Sequence, residues 1–279
     1  MVKILVPVDF SKEALDALQF AVGLTSAKSA KIEVIHVVEY PVGAAMDPVG
    51  MAVPSPYDPE FVDLLKENAE KRMNEFLGQF KSAISYTIEV GNPFFEITEK
   101  LSKIDADLVV MGTKGATGFK EFFIGSNAEK VVRKASCPVI TLAQPTRCED
   151  IQDIVFATNI TDVSEGLVMN VKQLQDIFNA KIHLVRINTP NNFERDELAE
   201  KALEDLAERF MFKDYTVNIY NDVYEDQGIL SFAKKINAHM IAMGTHGRTG
   251  LKHLLTGSLA EDVVNHAKRP IWTYQITKK

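Results

Sequence analysis

One 31-residue stretch of this chain occurs twice. Residues 111–141 and 243–273 align without a gap and are identical at 16 of the 31 positions, including a GxxGxxG run and the Gly-Ser pair that follows it. An internal repeat fixes the size of the structural unit before any fold is considered. Each copy closes one half of the 279 residues, so the chain reads as two similar units in tandem, residues 1–145 and 150–279. Each unit, at roughly 140 residues, is large enough for its own hydrophobic core. The connection at 145–150 is too short to string them apart, so they are expected to pack together.

Within each unit, β-rich runs alternate with helical periodicity. In the first half, strands are predicted at residues 2–8, 31–38, 86–90, 107–111 and 138–142. Ser11 caps a helix carrying Leu15, Leu18 and Val22, and further helices follow at 61–80, 94–102 and 128–135. The second half repeats the plan, with strands at 154–157, 181–187, 216–220, 239–243 and 271–274 and helices at 168–178, 196–212, 229–236 and 259–267. Such alternation predicts an α/β fold, a mostly parallel sheet with helices on both faces. Early segments of the halves align at an offset of 150 and the glycine stretches at 132, so the second half lacks 18 residues. They correspond to the Pro-, Gly- and Met-rich segment around 40–59, expected to be a long surface loop, either a functional lid or disordered.

Composition excludes several classes. The net charge of −7 divides into −4 over residues 1–145 and −3 over 146–279, so neither half offers the general basic surface that nucleic-acid binding requires. No apolar run approaches the roughly 20 residues that span a bilayer. The opening MVKILVPVDFS reads as a first strand, not an export signal, and the expected location is cytoplasmic. Cys137 and Cys148 are too few for a zinc site or a disulfide framework and read as buried or incidental thiols.

Both glycine stretches begin where a parallel strand ends, which is where open α/β sheets bind ligands. Gly112 there is read as letting a ligand approach the backbone without meeting a Cβ. Gly125 and Ser126 open the next helix, whose unpaired N–H groups and positive dipole end favour an anion. Gly244, Gly247, Gly257 and Ser258 repeat the arrangement. The suggested ligand is a phosphate; the competing reading is that the glycines serve the turn alone. Lys is missing before Ser126 and Ser258, so there is no P-loop, and the GxGxxG fingerprint, HExxH, GxSxG and CxxC are absent too. His36 and His183 fall in predicted strands as core or edge residues, whereas His246, His253 and His266 belong to the second half alone and read as structural or solvated.

The spacing of Gly112, Gly115, Gly125 and Ser126, with a first strand ending PVDFS, resembles the universal stress proteins across the whole chain. The resemblance implies two tandem doubly wound domains of the adenine nucleotide alpha hydrolase-like fold, each a five-stranded sheet, pairing through their last strands. It also implies ATP or AMP, with Mg as a candidate companion ion. Carried across, the first-half site is Asp9 at the nucleoside, Val37 near adenine, and Met111, Gly112, Gly115, Gly118, Gly125, Ser126 and Asn127 around ribose and phosphates. The second-half counterparts are Ile187, Gly244, Gly247, Arg248, Gly257 and Ser258. There Asn159 replaces the acid and Val223 replaces Gly91, which puts ribose recognition in doubt, while Arg248 stands where the first half has Ala116 and can pair with a phosphate. A carboxylate at a strand end is independently suited to accept hydrogen bonds from ribose hydroxyls.

The leading expectation is a regulatory, stress-response protein that binds adenine nucleotide, with self-association through an intramolecular pseudo-dimer and no nucleic-acid or membrane partner. Two other readings remain: a nucleotide-free scaffold using Met46 and Met51 as contacts, and a weak ATPase or self-phosphorylating protein in which Lys114 and Lys120 stabilise charge and Ser126 or Ser258 is modified. A helix-capping hydroxyl also explains both serines.

Overall fold

The computed structural model describes residues 1–27, 29–39, 59–81, 84–113, 124–159, 164–246 and 259–276. Short runs of Val, Ile and Leu form the strands. β1 (Val2–Pro7), β2 (Ala30–Val38), β3 (Ser85–Val90), β4 (Leu108–Gly112) and β5 (Val139–Leu142) make up the first half, and β6 (Asp153–Ala157), β7 (Lys181–Asn188), β8 (Tyr215–Asn221), β9 (Met240–His246) and β10 (Ile271–Ile276) the second. Amphipathic segments between them form α1 (Lys12–Ala27), α2 (Pro59–Leu77), α3 (Pro93–Ile104), α4 (Ser126–Lys134), α5 (Glu165–Phe178), α6 (Asp196–Arg209), α7 (Glu225–Lys235) and α8 (Leu259–His266).

The strands join in one ten-stranded sheet of order β3-β2-β1-β4-β5-β10-β9-β6-β7-β8. Each half is parallel throughout and runs in the same internal order. The halves meet where β10 pairs antiparallel with β5, Trp272 opposite Ile140 and Thr273 opposite Val139. The order reverses between β1 and β4 in the first half and between β6 and β9 in the second. Pairing through the last strands, implied by the family resemblance, is therefore built into a single chain.

The two faces of the sheet differ. On the face covered by α1, α2, α5 and α6, one apolar cluster runs across both halves, from Val34 and Met73 through Ile140 and Trp272 to Leu184 and Leu203. On the other face, each half has its own cluster, under α3 and α4 or under α7 and α8, and Ile124 packs against both. The connection is pinned as well. A one-turn 3-10 helix, Cys148–Asp150, lies on α1 so closely that a Cβ on Gly23 would stand 2.5 Å from the Cys148 sulfur.

Both cysteines are free and buried. Burial pushes the Cys137 thiol up to about 12, with Asp107 adding to the effect, and Cys148 up to about 11, with Glu149 adding. The thiolate is the reactive form, so a disulfide reagent at pH 8 is expected to label the folded chain roughly 100-fold or more slowly than the denatured one. Rapid labelling of either thiol under native conditions would contradict this burial. Among the described residues, no helix is long and apolar enough to cross a membrane.

Candidate functional site

At the carboxyl end of the first half, β1 and β4 diverge toward connections on opposite sides, and the gap between their ends is the position at which such sheets hold ligands. A cleft of about 250 Å³ opens there. Its walls bring together Asp9, Val37, Met111, Gly112, Gly125, Ser126 and Asn127, the first-half candidates that fall within the described residues. Gly115 and Gly118 lie outside the described residues, as do Gly247, Arg248, Gly257, Ser258, Lys114, Lys120, His253 and the loop with Met46 and Met51.

The carboxylate is positioned by the turn that ends β1. Asp9 Oδ1 accepts the Ser11 amide at 3.0 Å, and Ser11 Oγ in turn accepts the Ala14 amide at 3.1 Å, capping α1 as its sequence position predicts. Phe10 between them has φ 63°, a left-handed conformation seldom adopted by an aromatic residue. Its ring meets His36 at 4.3 Å between centroids, and the Arg72 guanidinium lies over the same ring at 4.3 Å from its centre. His36 donates from Nδ1 to the Val8 carbonyl at 2.8 Å; burial holds its imidazole below the usual range, with Arg72 acting in the same direction. His36 is thus a structural brace beneath the turn.

The opposite wall is the head of α4. Gly125 is the extended residue before the helix, and its amide donates to the Thr113 carbonyl at 2.6 Å. The first intrahelical bond runs from the Glu129 amide to the Gly125 carbonyl, so the amides of Ser126, Asn127 and Ala128 head the helix without an intrahelical acceptor. All three residues line the cleft. Ser126 is the first helical residue and exposed, so the capping role open to it from sequence falls instead to Gly125, which has no side chain to cap with. The second half supports this wall from outside: Asn265 Oδ1 on α8 accepts the Ile124 amide at 2.8 Å, and Arg133 on α4 pairs with Glu261 on α8 at 3.0 Å.

Gly112 serves a different wall from the one expected. A Cβ there would come within 2.8 Å of Glu13 Cβ and 3.1 Å of the Glu13 backbone, so its missing side chain lets α1 seat against β4 rather than admitting a ligand. Gly112 still lines the cleft through its main chain. Sequence reasoning also passed over Pro93, Thr113 and Glu39, which complete the walls. Pro93 was legible as the first residue of α3 behind Asn92, whose side chain accepts the Phe94 amide at 3.1 Å.

Electrostatically the cleft is polarised. Asp9 and Glu39 are the only ionisable side chains among its described lining residues, and both are acids; the electropositive wall is the main chain at the head of α4. A ligand with hydroxyl or amino donors at one end and negative charge at the other matches that order.

In the second half, the position of Asp9 is held by Asn159, which is exposed, and Ile187, the counterpart of Val37, is 6% exposed in the apolar core. His183, expected as core or edge, is half-buried at the opposite end of the sheet, between Asp153 at 2.9 Å and Thr216 at 2.8 Å.

Strand order, helix placement and the switch-point cleft define a doubly wound α/β protein. The model of the universal stress protein family matches residues 1–142 and, a second time, 151–275. The chain therefore belongs to the universal stress protein family, as a tandem member. A universal stress protein of Methanocaldococcus jannaschii is 32% identical over 149 residues, covering 52% of this chain and 84% of that protein. A putative universal stress protein of Staphylococcus aureus is 29% identical over 164 residues, covering 57% of this chain and 94% of that one. Relatives of this kind have the length of one module. In full-length architecture the chain is similar to a universal stress protein structure from Archaeoglobus fulgidus, with TM-score 0.77, 19% identity and 98% of each chain covered.

Proposed function

We propose that this protein is a stress-response regulator that binds an adenine nucleotide, ATP or AMP, in the cleft of its first module, with residues 1–145 and 150–279 as its domains. The observation that carries the reading is the joint placement of the Asp9 carboxylate and the amides of Ser126, Asn127 and Ala128, which have no intrahelical acceptor, on facing walls of one switch-point cleft. Adenine lies against Ile35 and Val37, Asp9 accepts from the ribose hydroxyls, and the phosphates turn toward the head of α4. Gly115 and Gly118 belong to the same phosphate turn in this reading, by their spacing in sequence.

The lining supports binding more directly than catalysis. The described lining offers hydrogen-bonding groups for a bound ligand, Asp9 and Glu39 on one side and the main chain of α4 on the other, whereas phosphoryl transfer also requires a positioned metal and nucleophile.

Calorimetric titration with ATP and AMP tests this. Asp9→Asn keeps an acceptor for the Ser11 amide and removes the charge. Hydrogen bonds to charged groups contribute about 1.5–3 kcal/mol, so the substitution is expected to weaken binding by roughly 10- to 100-fold. Equal affinity in the variant would remove Asp9 from the site, and no heat with either nucleotide, together with no adenylate released on denaturing the purified protein, would leave the scaffold reading in its place. Sustained phosphate release abolished by Asp9→Asn would make the protein an ATPase.

A further inference from the structure

The position of the first cleft has a counterpart in the second half, and there the chain spends its own groups on it. Aligning the halves sets Asn159 against Asp9, Arg186 against His36, Ile187 against Val37, Thr189 against Glu39 and Glu225 against Pro93. Equivalent backbone bonds confirm the register: the Val8 amide donates to the Ile35 carbonyl at 2.8 Å and the Thr158 amide to the Val185 carbonyl at 3.0 Å.

Arg186, 5% exposed in a strand otherwise rich in apolar residues, organises this region. Its guanidinium donates to the Asn159 carbonyl at 2.5 Å, to Asn192 Oδ1 at 2.9 Å and to Asn188 Oδ1 at 3.3 Å. Asn188, 2% exposed, then holds the chain beyond β7 by donating to the Glu194 carbonyl at 2.9 Å. Residues 189–192 fold back in a tight turn, the Asn192 amide donating to the Thr189 carbonyl at 3.1 Å. From that turn Asn192 Nδ2 reaches Glu225 Oε1 at the start of α7, at 3.0 Å. One side chain thereby ties the segment after β7 to the head of α7, across the end of the sheet.

Beneath this strap the apolar floor is filled. A Cβ on Gly228 would lie 2.5 Å from Ile187 Cγ2, so α7 rests directly on the side chain that replaces Val37. In the first half the position of Gly228 is Glu96, and Val37 is only half-buried at the cleft wall. Four positions that would face adenine and ribose are thus engaged within the protein: the Asn159 carbonyl, Ile187, Thr189 and Glu225. A buried guanidinium that holds three acceptors is costly to displace, because breaking those bonds leaves a buried charge uncompensated.

We infer that the second crevice is shut by its own polypeptide, through the Arg186–Asn192–Glu225 strap and the Ile187–Gly228 contact, so that the chain takes one adenine nucleotide and not two. This rests on the nucleotide reading of the first cleft. In this reading the second half's loss of the strand-end acid follows from loss of the ligand.

Titration of the full-length chain with ATP, read by calorimetry and by amide chemical shifts, tests it. The expected result is one equivalent bound, with shifts at Asp9, Val37 and Ser126 and none at Asn159 or Ile187, and a single binding phase that weakens as a whole in Asp9→Ala. Two equivalents, or a phase of unchanged affinity persisting in Asp9→Ala with shifts at Ile187, would overturn the inference while leaving the first site intact. No binding at all would overturn the nucleotide reading, and this inference with it.

Discussion

Gly112→Ala is expected to lower the stability of the protein by about 2–3 kcal/mol, at the upper part of the range for forcing an atom into a packed site. The added Cβ meets the Glu13 backbone at 3.1 Å and Glu13 Cβ at 2.8 Å. A helix backbone cannot step aside as the end of a side chain can, so α1 must lift from β4. At roughly 2–4 °C per kcal/mol for a chain of this size, melting should fall by about 4–12 °C. Gly244→Ala is the internal control. There a Cβ would meet Ile276 Cδ1 at 2.6 Å and Leu167 Cδ2 at 2.9 Å, both at the ends of flexible side chains. Rotamer changes relieve such contacts, and the expected cost is below about 1 kcal/mol. Equal melting temperatures for the two variants, measured by calorimetry, would show that the wall behind Gly112 is softer than the geometry indicates.

The second large effect is expected at Trp272, which is 2% exposed in the seam strand opposite Ile140 and stacks on Tyr274 at 6.2 Å between centroids. Trp272→Ala should cost about 3–5 kcal/mol, the usual range for emptying an aromatic site in a core. Its apolar cluster is shared by both halves, so the loss should be felt by the whole chain. Trp272 is the only tryptophan, which makes its fluorescence a reporter of the seam in the unsubstituted protein. Unfolding followed by that fluorescence and by far-ultraviolet circular dichroism is expected to coincide, because one core spans the junction. A fluorescence transition well ahead of the loss of helix would show that the halves separate before they unfold.

Much of this architecture is legible in the residues themselves. Val-, Ile- and Leu-rich runs became strands within three residues of their sequence-based limits, and the repeat copies at 111 and 243 begin within β4 and β9, the strands beside each switch point. Asp9 was legible because strand-end chemistry is local: the turn that aims it lies within five residues. Long-range relations were not. Gly112 announces a close approach, but its sequence context does not say whether α1 or a ligand makes it. Ile124 and Asn265 are separated by 141 positions and meet only once β5 and β10 have paired. Arg186 did leave a signal, a lone guanidinium within KIHLVRIN. Its partners Asn159, Asn188 and Asn192 are ordinary loop and strand-end residues until the chain folds back over them.

The β5–β10 junction changes what concentration means for this protein. Where two separate polypeptides would have to find each other to complete such a sheet, here the encounter is between parts of one molecule, governed by the tether and not by the number of molecules present. Dilution therefore has no purchase on the pairing. Asn265 and Glu261 stay within reach of α4 at any expression level, and the first-half cleft keeps its outer support in a cell that makes very little of the protein.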